Sequence, residues 1–205
     1  MKENKDHWYD GWIYDTIIAP NQDNLFEQIK NLIEPQSTIL DVGCGTGRLA
    51  FALADHCKSV LGIDLSKRNI DRAQRTLFQQ PNNKISLRHL NLSEIVNEGQ
   101  THFDYAILTY VIHEVNEDER VNLLNEISKV ADKIIIGDYL VPKPKGFWGF
   151  LSETIEYIAG SEHYRNYKSY VANGGIYHLA NQADLKIISE ITNRPLTSHI
   201  AILVK

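Results

Sequence analysis

Short apolar runs and longer segments with apolar residues at helical spacing alternate along the chain. The short runs indicate buried strands and the longer segments indicate helices. Regular alternation of strand and helix is typical of an α/β fold, a largely parallel sheet covered by helices on both faces. The predicted strands are 38–42, 59–64, 84–90, 103–109, 132–138, 184–191 and 198–204, and the predicted helices between them are 22–34, 47–55, 66–79, 116–130 and 176–183.

Capping and turn residues add detail to these elements. Ser66 is a suitable N-cap for the third helix, and Asn116 or Asp118 for the fourth, because their side-chain oxygens can accept bonds from the first helical N–H groups. Asn193-Arg194-Pro195 joins the last two predicted strands and indicates a hairpin. We therefore expect the sheet to end with one antiparallel strand.

Two aromatic segments lie outside this pattern, one at the N-terminus and one after the fifth strand. A connection as long as 142–175 inside a compact domain usually has a function. Its expected helices, at about 147–159 and 164–172, would stand above the carboxyl ends of the strands, where open α/β sheets bind ligands. The prediction is one domain over 1–205, with an N-terminal aromatic lid segment at 1–20 and a small helical cap at 142–175.

The most informative motif is residues 39–48, Ile-Leu-Asp-Val-Gly-Cys-Gly-Thr-Gly-Arg. An apolar strand runs directly into three glycines, and a helical pattern follows. So tight a turn needs backbone that can adopt positive φ and approach a ligand closely. The N–H groups at the start of the helix attract the polar or anionic end of a nucleotide-like molecule. The motif therefore predicts a nucleoside-containing cofactor.

The residues around the glycines distinguish between two cofactors. A dinucleotide motif reads Gly-x-Gly-x-x-Gly, whereas this loop reads Gly-x-Gly-x-Gly and has Arg48 in place of the last small residue. Asp41, at the end of the strand, would repel a pyrophosphate but suits the ammonium group of S-adenosylmethionine. Asp64 ends the next strand, at about the distance expected for an acid that bonds ribose hydroxyls. A nicotinamide-dependent oxidoreductase is therefore disfavoured.

Residues 40–47, 62–66 and 103–107 together resemble the motifs of class I S-adenosylmethionine-dependent methyltransferases, of the type that acts on small molecules. The resemblance implies a seven-stranded Rossmann-like sheet in the order 3-2-1-4-5-7-6, with strand seven antiparallel. It also implies S-adenosylmethionine as the cofactor and S-adenosylhomocysteine as the product. The spacing of helices and strands continues the match from about residue 25 to the C-terminus.

The resemblance also implies roles for individual residues in cofactor binding. The glycine loop would bring its backbone against the methionine part, while Leu65 would pack on the adenine. Asn91 stands where the family often has an acid, and its carboxamide can still bond the adenine amine. The predicted cofactor-binding residues are Asp41, Gly43, Cys44, Gly45, Gly47, Asp64, Leu65, Asn91, Leu92 and Thr109.

The segment after the fourth strand, Ile112-His113-Glu114-Val115, resembles small-molecule methyltransferases. It lacks the Asn/Asp-Pro-Pro-aromatic motif of enzymes that methylate base amines or glutamine amides. An oxygen or amine nucleophile needs a proton acceptor, although His113 is equally compatible with a buried imidazole that only bonds the backbone. The predicted catalytic residues are His113 and Tyr164, and the predicted substrate-binding residues are Tyr9, Tyr14, His163 and Arg165.

Composition excludes several other classes of function. The formal charge of -5 over 205 residues argues against nucleic-acid binding. The apolar runs are too short to span a bilayer, and the polar N-terminus lacks a signal-peptide core, so we expect a cytoplasmic protein. The eight histidines lack ligand spacing, so no metal is expected. The prediction is methyl transfer to a small molecule whose O, S, N or C nucleophile stays open. The alternatives are a protein or RNA methyltransferase and a non-catalytic cofactor-binding module.

Overall fold

The computed structural model of the protein consists of one sheet with helices on both faces. The structure describes residues 19–99, 101–144, 153–154, 156–157, 160–194 and 196–205. The strands within these ranges are β1 (Thr38–Val42), β2 (Ser59–Asp64), β3 (Ile85–His89), β4 (Phe103–Thr109), β5 (Ala131–Tyr139), β6 (Lys186–Thr192) and β7 (Ser198–Val204). Their order in the sheet is β3-β2-β1-β4-β5-β7-β6.

The parallel strands bring their carboxyl ends to one edge of the sheet. Neighbouring strands from β3 through β5 are parallel, whereas β7 runs antiparallel to both β5 and β6. The predicted fold class, strand order and antiparallel last strand are therefore confirmed. Because parallel strands point the same way, Asp64, Thr109 and Tyr139 lie along one edge of the sheet as the last residues of β2, β4 and β5.

Helices fill most of the predicted intervals. They are α1 (Ala19–Leu32), α2 (Arg48–Leu53), α3 (Lys67–Gln79), α4 (Leu92–Glu98), α5 (Arg120–Ile127), α6 (Ser161–Ala172) and α7 (Gly175–Gln182). Residues 153, 154, 156 and 157 are also helical, whereas most of the predicted helix 147–159 and residues 1–18 lie outside the described residues. No helix in the part of the chain that the structure describes is both long and apolar enough to cross a membrane.

Ser66 caps α3 as predicted, by accepting a bond from Asn69 N–H, but the fourth predicted helix was wrong at its start. Helix α5 begins only at Arg120, because the preceding residues form a turn closed by a bond from the Glu119 N–H to the Asn116 carbonyl (3.0 Å). Neither Asn116 nor Asp118 stands at the cap position. The Asn116 side chain instead accepts a bond from the Asn166 amide of α6, at 3.3 Å.

Helix α4 was not predicted at all. Asn91 and Glu94 form a capping box at its start, in which each side chain bonds the backbone N–H of the other residue. The sequence carries this signal, an N-cap residue followed three positions later by a glutamate, but Asn91 is also a candidate for contact with the adenine.

Two hydrophobic layers cover the sheet, one on each face. Along the central strands, successive apolar side chains point to opposite faces: Leu40 and Leu108 face α4, α5 and α7, whereas Ile39 and Ile107 face α1, α2 and α3. All four are fully buried. Burial on both faces explains why these strands are continuous apolar runs rather than alternating ones.

Because Gly62 in β2 has no side chain, Leu87 of β3 and Cys44 of the turn after β1 can pack closely against it. A Cβ at this position would lie 2.8 Å from Cδ2 of Leu87 and 2.9 Å from Sγ of Cys44. We predict that Gly62→Ala lowers the free energy of unfolding by about 1–3 kcal/mol, the usual cost of overpacking a core. Urea denaturation measures this loss.

The double variant with Cys44→Ala is the control for this prediction. Removing the sulfur should recover part of the loss, so the two changes should not be additive. Additive free energies of unfolding would contradict the contact between Gly62 and Cys44.

Candidate functional site

The turn from β1 into α2, which we call the glycine loop (43–47), lies at the carboxyl edge of the sheet. Gly43, Gly45 and Gly47 all have positive φ, of 73°, 54° and 81°, and the Gly43 N–H donates to the Ile63 carbonyl at 2.8 Å. A Cβ on Gly43 would come within 2.6 Å of Val111, whereas one on Gly45 would meet no described atom within 4 Å. Val111 therefore fills the space beside Gly43 at one end of the loop, whereas the space beside Gly45 is open.

Asp64 attaches the glycine loop to the end of β2. Its Oδ2 accepts a bond from the Gly45 N–H at 2.8 Å, and its Oδ1 accepts one from the Ser66 N–H at 2.7 Å. A carboxylate oxygen can accept two bonds, so each oxygen can still accept a ligand hydroxyl. Leu65 is 74% exposed, so an apolar side chain beside this acid is available to a ring.

Asp41 is a buried carboxylate without a partner. Its side chain is 0% exposed, and neither oxygen has a hydrogen-bond partner among the described residues. Burial, reinforced by the negative charge of Asp64, raises the pKa of Asp41 to about 8. An unpaired buried carboxylate is costly, so this site fits a ligand that brings a cation or several N–H donors.

The other predicted cofactor residues have structural contacts of their own. Cys44 is buried, and burial raises the pKa of its thiol above the ordinary value. Asn91 Oδ1 accepts bonds from the Glu94 N–H and the Ser93 hydroxyl, so an adenine contact through this oxygen would compete with the helix cap. Leu92 lies in the core, and Thr109 ends β4, half-buried.

A second group of ionisable residues surrounds His113, in the loop after β4. His113 Nδ1 lies 2.7 Å from Oδ1 of Asp138 in β5, and Nε2 lies 3.6 Å from Oε2 of Glu156. The three residues are 1%, 0% and 5% exposed. Burial alone would lower the pKa of His113, but the two carboxylates outweigh it and raise that pKa well above its ordinary value. The imidazole is therefore a buried cation between two anions.

Aromatic side chains form a wall beside this cation. The Tyr139 ring lies 4.9 Å from the His113 ring, 5.5 Å from Tyr110 and 5.1 Å from Tyr167, measured between ring centroids. The Tyr139 hydroxyl donates to Glu156 at 2.7 Å. Tyr110 follows β4 with a φ of 54°, a conformation that is rare outside glycine and common at functional sites.

Comparison with known proteins finds similar methyltransferases. Residues 39–133 match the family described as "Methyltransferase domain". The ubiquinone biosynthesis O-methyltransferase of Rickettsia typhi is 29% identical over 152 residues, which are 73% of this chain and 60% of that protein. The matched segment and this relative support a class I S-adenosylmethionine-dependent methyltransferase. The chain spans less than two thirds of the length of that relative.

Other members of the family share parts of the chain or its fold. The O-antigen chain terminator bifunctional methyltransferase/kinase WbdD of Escherichia coli is 27% identical over 65% of this chain and 19% of its own length. Magnesium protoporphyrin IX methyltransferase (ChlM) from Synechocystis PCC 6803, solved with bound SAH, has a TM-score of 0.66 at 17% identity, over 95% of this chain and 88% of that one. The pyocyanin biosynthetic protein PhzM has a TM-score of 0.71 at 12% identity, over 100% and 62%. Both structures share the methyltransferase fold.

The residues predicted for catalysis and substrate binding in segment 142–175 lie in different surroundings. His163 Nδ1 is 3.7 Å from the Glu114 carboxylate, so it contacts the loop after β4. The Tyr164 hydroxyl donates to Glu153 at 3.0 Å. The Arg165 side chain is 71% exposed and lies 3.9 Å from Glu162.

Glu153 is the centre of a charged group in the cap. Lys143 and Lys168 pair with it, and its bonds from Lys143 and Tyr164 lower its pKa to about 2. Tyr164 is therefore engaged in an ion-pair network rather than in contact with His113. Tyr9 and Tyr14 lie outside the described residues.

Sequence reasoning missed the partners of His113. Asp138 follows the apolar run Ile134-Ile135-Ile136, so it is an acid at a strand end, like Asp41 and Asp64, and the same argument would have found it. Glu156 carries no such signal, because its contacts with His113 and Tyr139 join residues that are far apart in the sequence.

The unpaired carboxylate of Asp41 leads to a prediction about pH. In the folded chain this group holds its proton up to about pH 8, while in the unfolded chain its pKa returns to the ordinary 3.8. The folded state thus binds more protons between these values, so its contribution to stability falls as pH rises. We predict that Asp41→Asn removes this loss and stabilises the free protein at pH 8 by at least about 1 kcal/mol, while weakening S-adenosylmethionine binding.

Denaturation at several pH values, together with calorimetry, checks this prediction. Asp104→Asn is the control, because bonds from Thr38 lower the pKa of Asp104 and its loss should destabilise the protein above pH 4 instead. An Asp41→Asn variant that is less stable at pH 8 would show that the carboxylate has a partner.

Proposed function

We propose that this chain transfers a methyl group from S-adenosylmethionine to a hydroxyl group of a small molecule. The observation that carries the proposal is the unpaired, buried Asp41 carboxylate beside a glycine loop that is open at Gly45. Ubiquinone biosynthesis O-methyltransferase relatives support a hydroxyl acceptor. We also propose that segment 142–175 covers the acceptor side of the site.

The residues at the sheet edge fit the cofactor part by part. Asp41 would hold the ammonium group, and the N–H groups of the glycine loop would face the carboxylate. Asp64 would accept the ribose hydroxyls, and Leu65 would pack against the adenine. When bound, S-adenosylmethionine supplies a methyl group already activated by a positively charged sulfur. The protein therefore contributes mainly orientation, exclusion of water and control of one proton.

The control of that proton falls to His113 and Glu156. A hydroxyl must lose its proton as it is methylated, so a nearby acceptor speeds the reaction. His113 Nε2 has no hydrogen-bond partner in the described part of the chain, and it faces the Glu156 carboxylate at 3.6 Å. The imidazole already carries a proton, so the proton of the hydroxyl would go to the Glu156 carboxylate, which His113 holds in place. Asp138 fixes the orientation of the imidazole through Nδ1.

Calorimetry with S-adenosylmethionine, S-adenosylhomocysteine and NAD tests the cofactor assignment. We predict that Asp64→Ala weakens binding of the first two by roughly ten- to a hundredfold, because charge-assisted hydrogen bonds worth about 1.5–3 kcal/mol are lost. Asp132→Ala removes a carboxylate that is 63% exposed and should leave binding unchanged. Tight binding of NAD by the unchanged protein would refute the proposal.

Transfer of a radiolabelled methyl group to a panel of phenols, catechols and primary alcohols tests the reaction. We predict that His113→Gln lowers kcat by about a hundredfold and leaves the affinity for S-adenosylhomocysteine unchanged. His102→Gln, at a site where the side chain is 56% exposed, is the matched control. Cofactor binding without transfer to any small molecule, but with labelling of protein or RNA in a cell extract, would indicate a macromolecular acceptor. Binding without any transfer would indicate a non-catalytic module.

A further inference from the structure

We propose that Arg120 and Asn166 are positioning residues, which together clamp helix α6 of the cap onto the loop that carries His113. The proposal rests on the proposed function, because it concerns how His113 is placed for the reaction. Arg120 is the first residue of α5, and Asn166 lies in the middle of α6. Both side chains are buried, at 1% and 6% exposed.

Arg120 donates to carbonyl groups of two separate segments. Its Nε donates to the Val115 carbonyl at 2.9 Å, and its Nη2 donates to the His113 carbonyl at 3.4 Å. The same Nη2 donates to the Asn166 carbonyl at 2.6 Å. One guanidinium therefore joins the backbone of the loop after β4 to the backbone of α6.

Asn166 completes the connection from the other side. Its Nδ2 donates to the Glu114 carbonyl at 2.7 Å and to Asn116 Oδ1 at 3.3 Å. The carbonyl of His113 and that of its neighbour Glu114 are thus both engaged, by a residue of α5 and a residue of α6. The backbone at His113 cannot shift without breaking buried hydrogen bonds.

The surroundings of Arg120 indicate that this residue positions its neighbours rather than increases the stability of the fold. No carboxylate lies within ion-pair distance of its guanidinium among the residues that the structure describes. A buried charge is costly, and apolar residues often stabilise a core as well or better. What an apolar side chain lacks is the rigid planar arrangement of N–H donors, which fixes the directions of several acceptors at once.

Helix α6 also supplies part of the surroundings of the His113 ring. Tyr167 and Tyr170 of this helix lie 6.2 and 6.4 Å from the imidazole, between centroids. The Tyr170 hydroxyl donates to the Tyr139 carbonyl at 3.2 Å. A displaced α6 would therefore move the aromatic groups that hold the imidazole near Glu156. The titratable and charged groups around the imidazole are Asp138, Glu156, Tyr139, Tyr167, Tyr170, Glu114 and Arg120.

Two substitutions test the clamp. Arg120→Lys keeps the positive charge but loses the planar set of donors, and Asn166→Ala removes the amide without changing charge. With the most active acceptor of the panel, each variant is expected to lower kcat by about ten- to a hundredfold, the usual effect of a misplaced catalytic group. The affinity for S-adenosylhomocysteine should stay unchanged. The pKa of His113, followed by ¹⁵N NMR, should fall toward its ordinary value as the ring leaves Glu156.

The groove beside Arg120 provides a rescue experiment. A cavity of about 480 Å³ is lined by Arg120, Tyr170, Asn173, Gly175 and His178, among others. Guanidinium ion added to Arg120→Ala can enter through this groove and should restore part of kcat. Arg88→Lys is the matched control, because Arg88 is 42% exposed and pairs with Glu98, far from His113. It should keep wild-type kinetics and show no response to guanidinium.

Each outcome decides for or against the clamp. Wild-type kcat and an unchanged His113 pKa in both variants would overturn it, as would a fall in kcat without a change in that pKa. A loss of activity that only matches the unfolded fraction would leave the two residues a structural role and refute the proposal. If the unchanged protein binds S-adenosylhomocysteine but methylates nothing, the proposed function fails, and the NMR comparison still decides whether the clamp places His113.

Discussion

The attachment of the glycine loop to the end of β2 is the interaction on which the rest of the site depends. The Ile63 carbonyl accepts the Gly43 N–H, and the Asp64 carboxylate accepts the Gly45 N–H. The turn is thereby fixed at two points close to the buried Asp41 carboxylate. The same attachment holds Gly45 at positive φ, with open space where a side chain would stand, so the loop can receive a ligand.

Buried ionisable groups near this edge make the free protein less stable than an apolar core would be. Asp41 has no hydrogen-bond partner among the described residues, His113 is a cation held between anions, and Arg120 is surrounded by carbonyl groups. Apolar residues at these positions would avoid the cost of removing such groups from water. Such arrangements persist where a geometry or a ligand requires them, and here Asp41 lies near the end of β1, His113 in the loop after β4, and Arg120 at the start of α5, bonded to that loop.

The positions of the glycine loop and of the acids beside it could be predicted from the sequence because their signals are local. The glycine spacing and the acids Asp41 and Asp64 are each specified within a few residues. The pairing of His113 with Glu156 could not be predicted, because it joins residues 43 positions apart in the chain. Helix α4 was missed for a different reason. The capping signal at Asn91 was present, but the same residue was also suited to contact the adenine.

The loop after β4 connects the two sides of the site. At one end, Val111 packs so closely on Gly43 that no Cβ fits between them. Two residues later, His113 of the loop contacts Asp138, and the loop backbone accepts bonds from a residue of α5 and a residue of α6. Because the loop contacts both the glycine loop and α6, one short segment links the position of the glycine loop to that of His113. A displacement of either neighbour would therefore be felt by the other through this loop, whose carbonyl groups are held by buried hydrogen bonds.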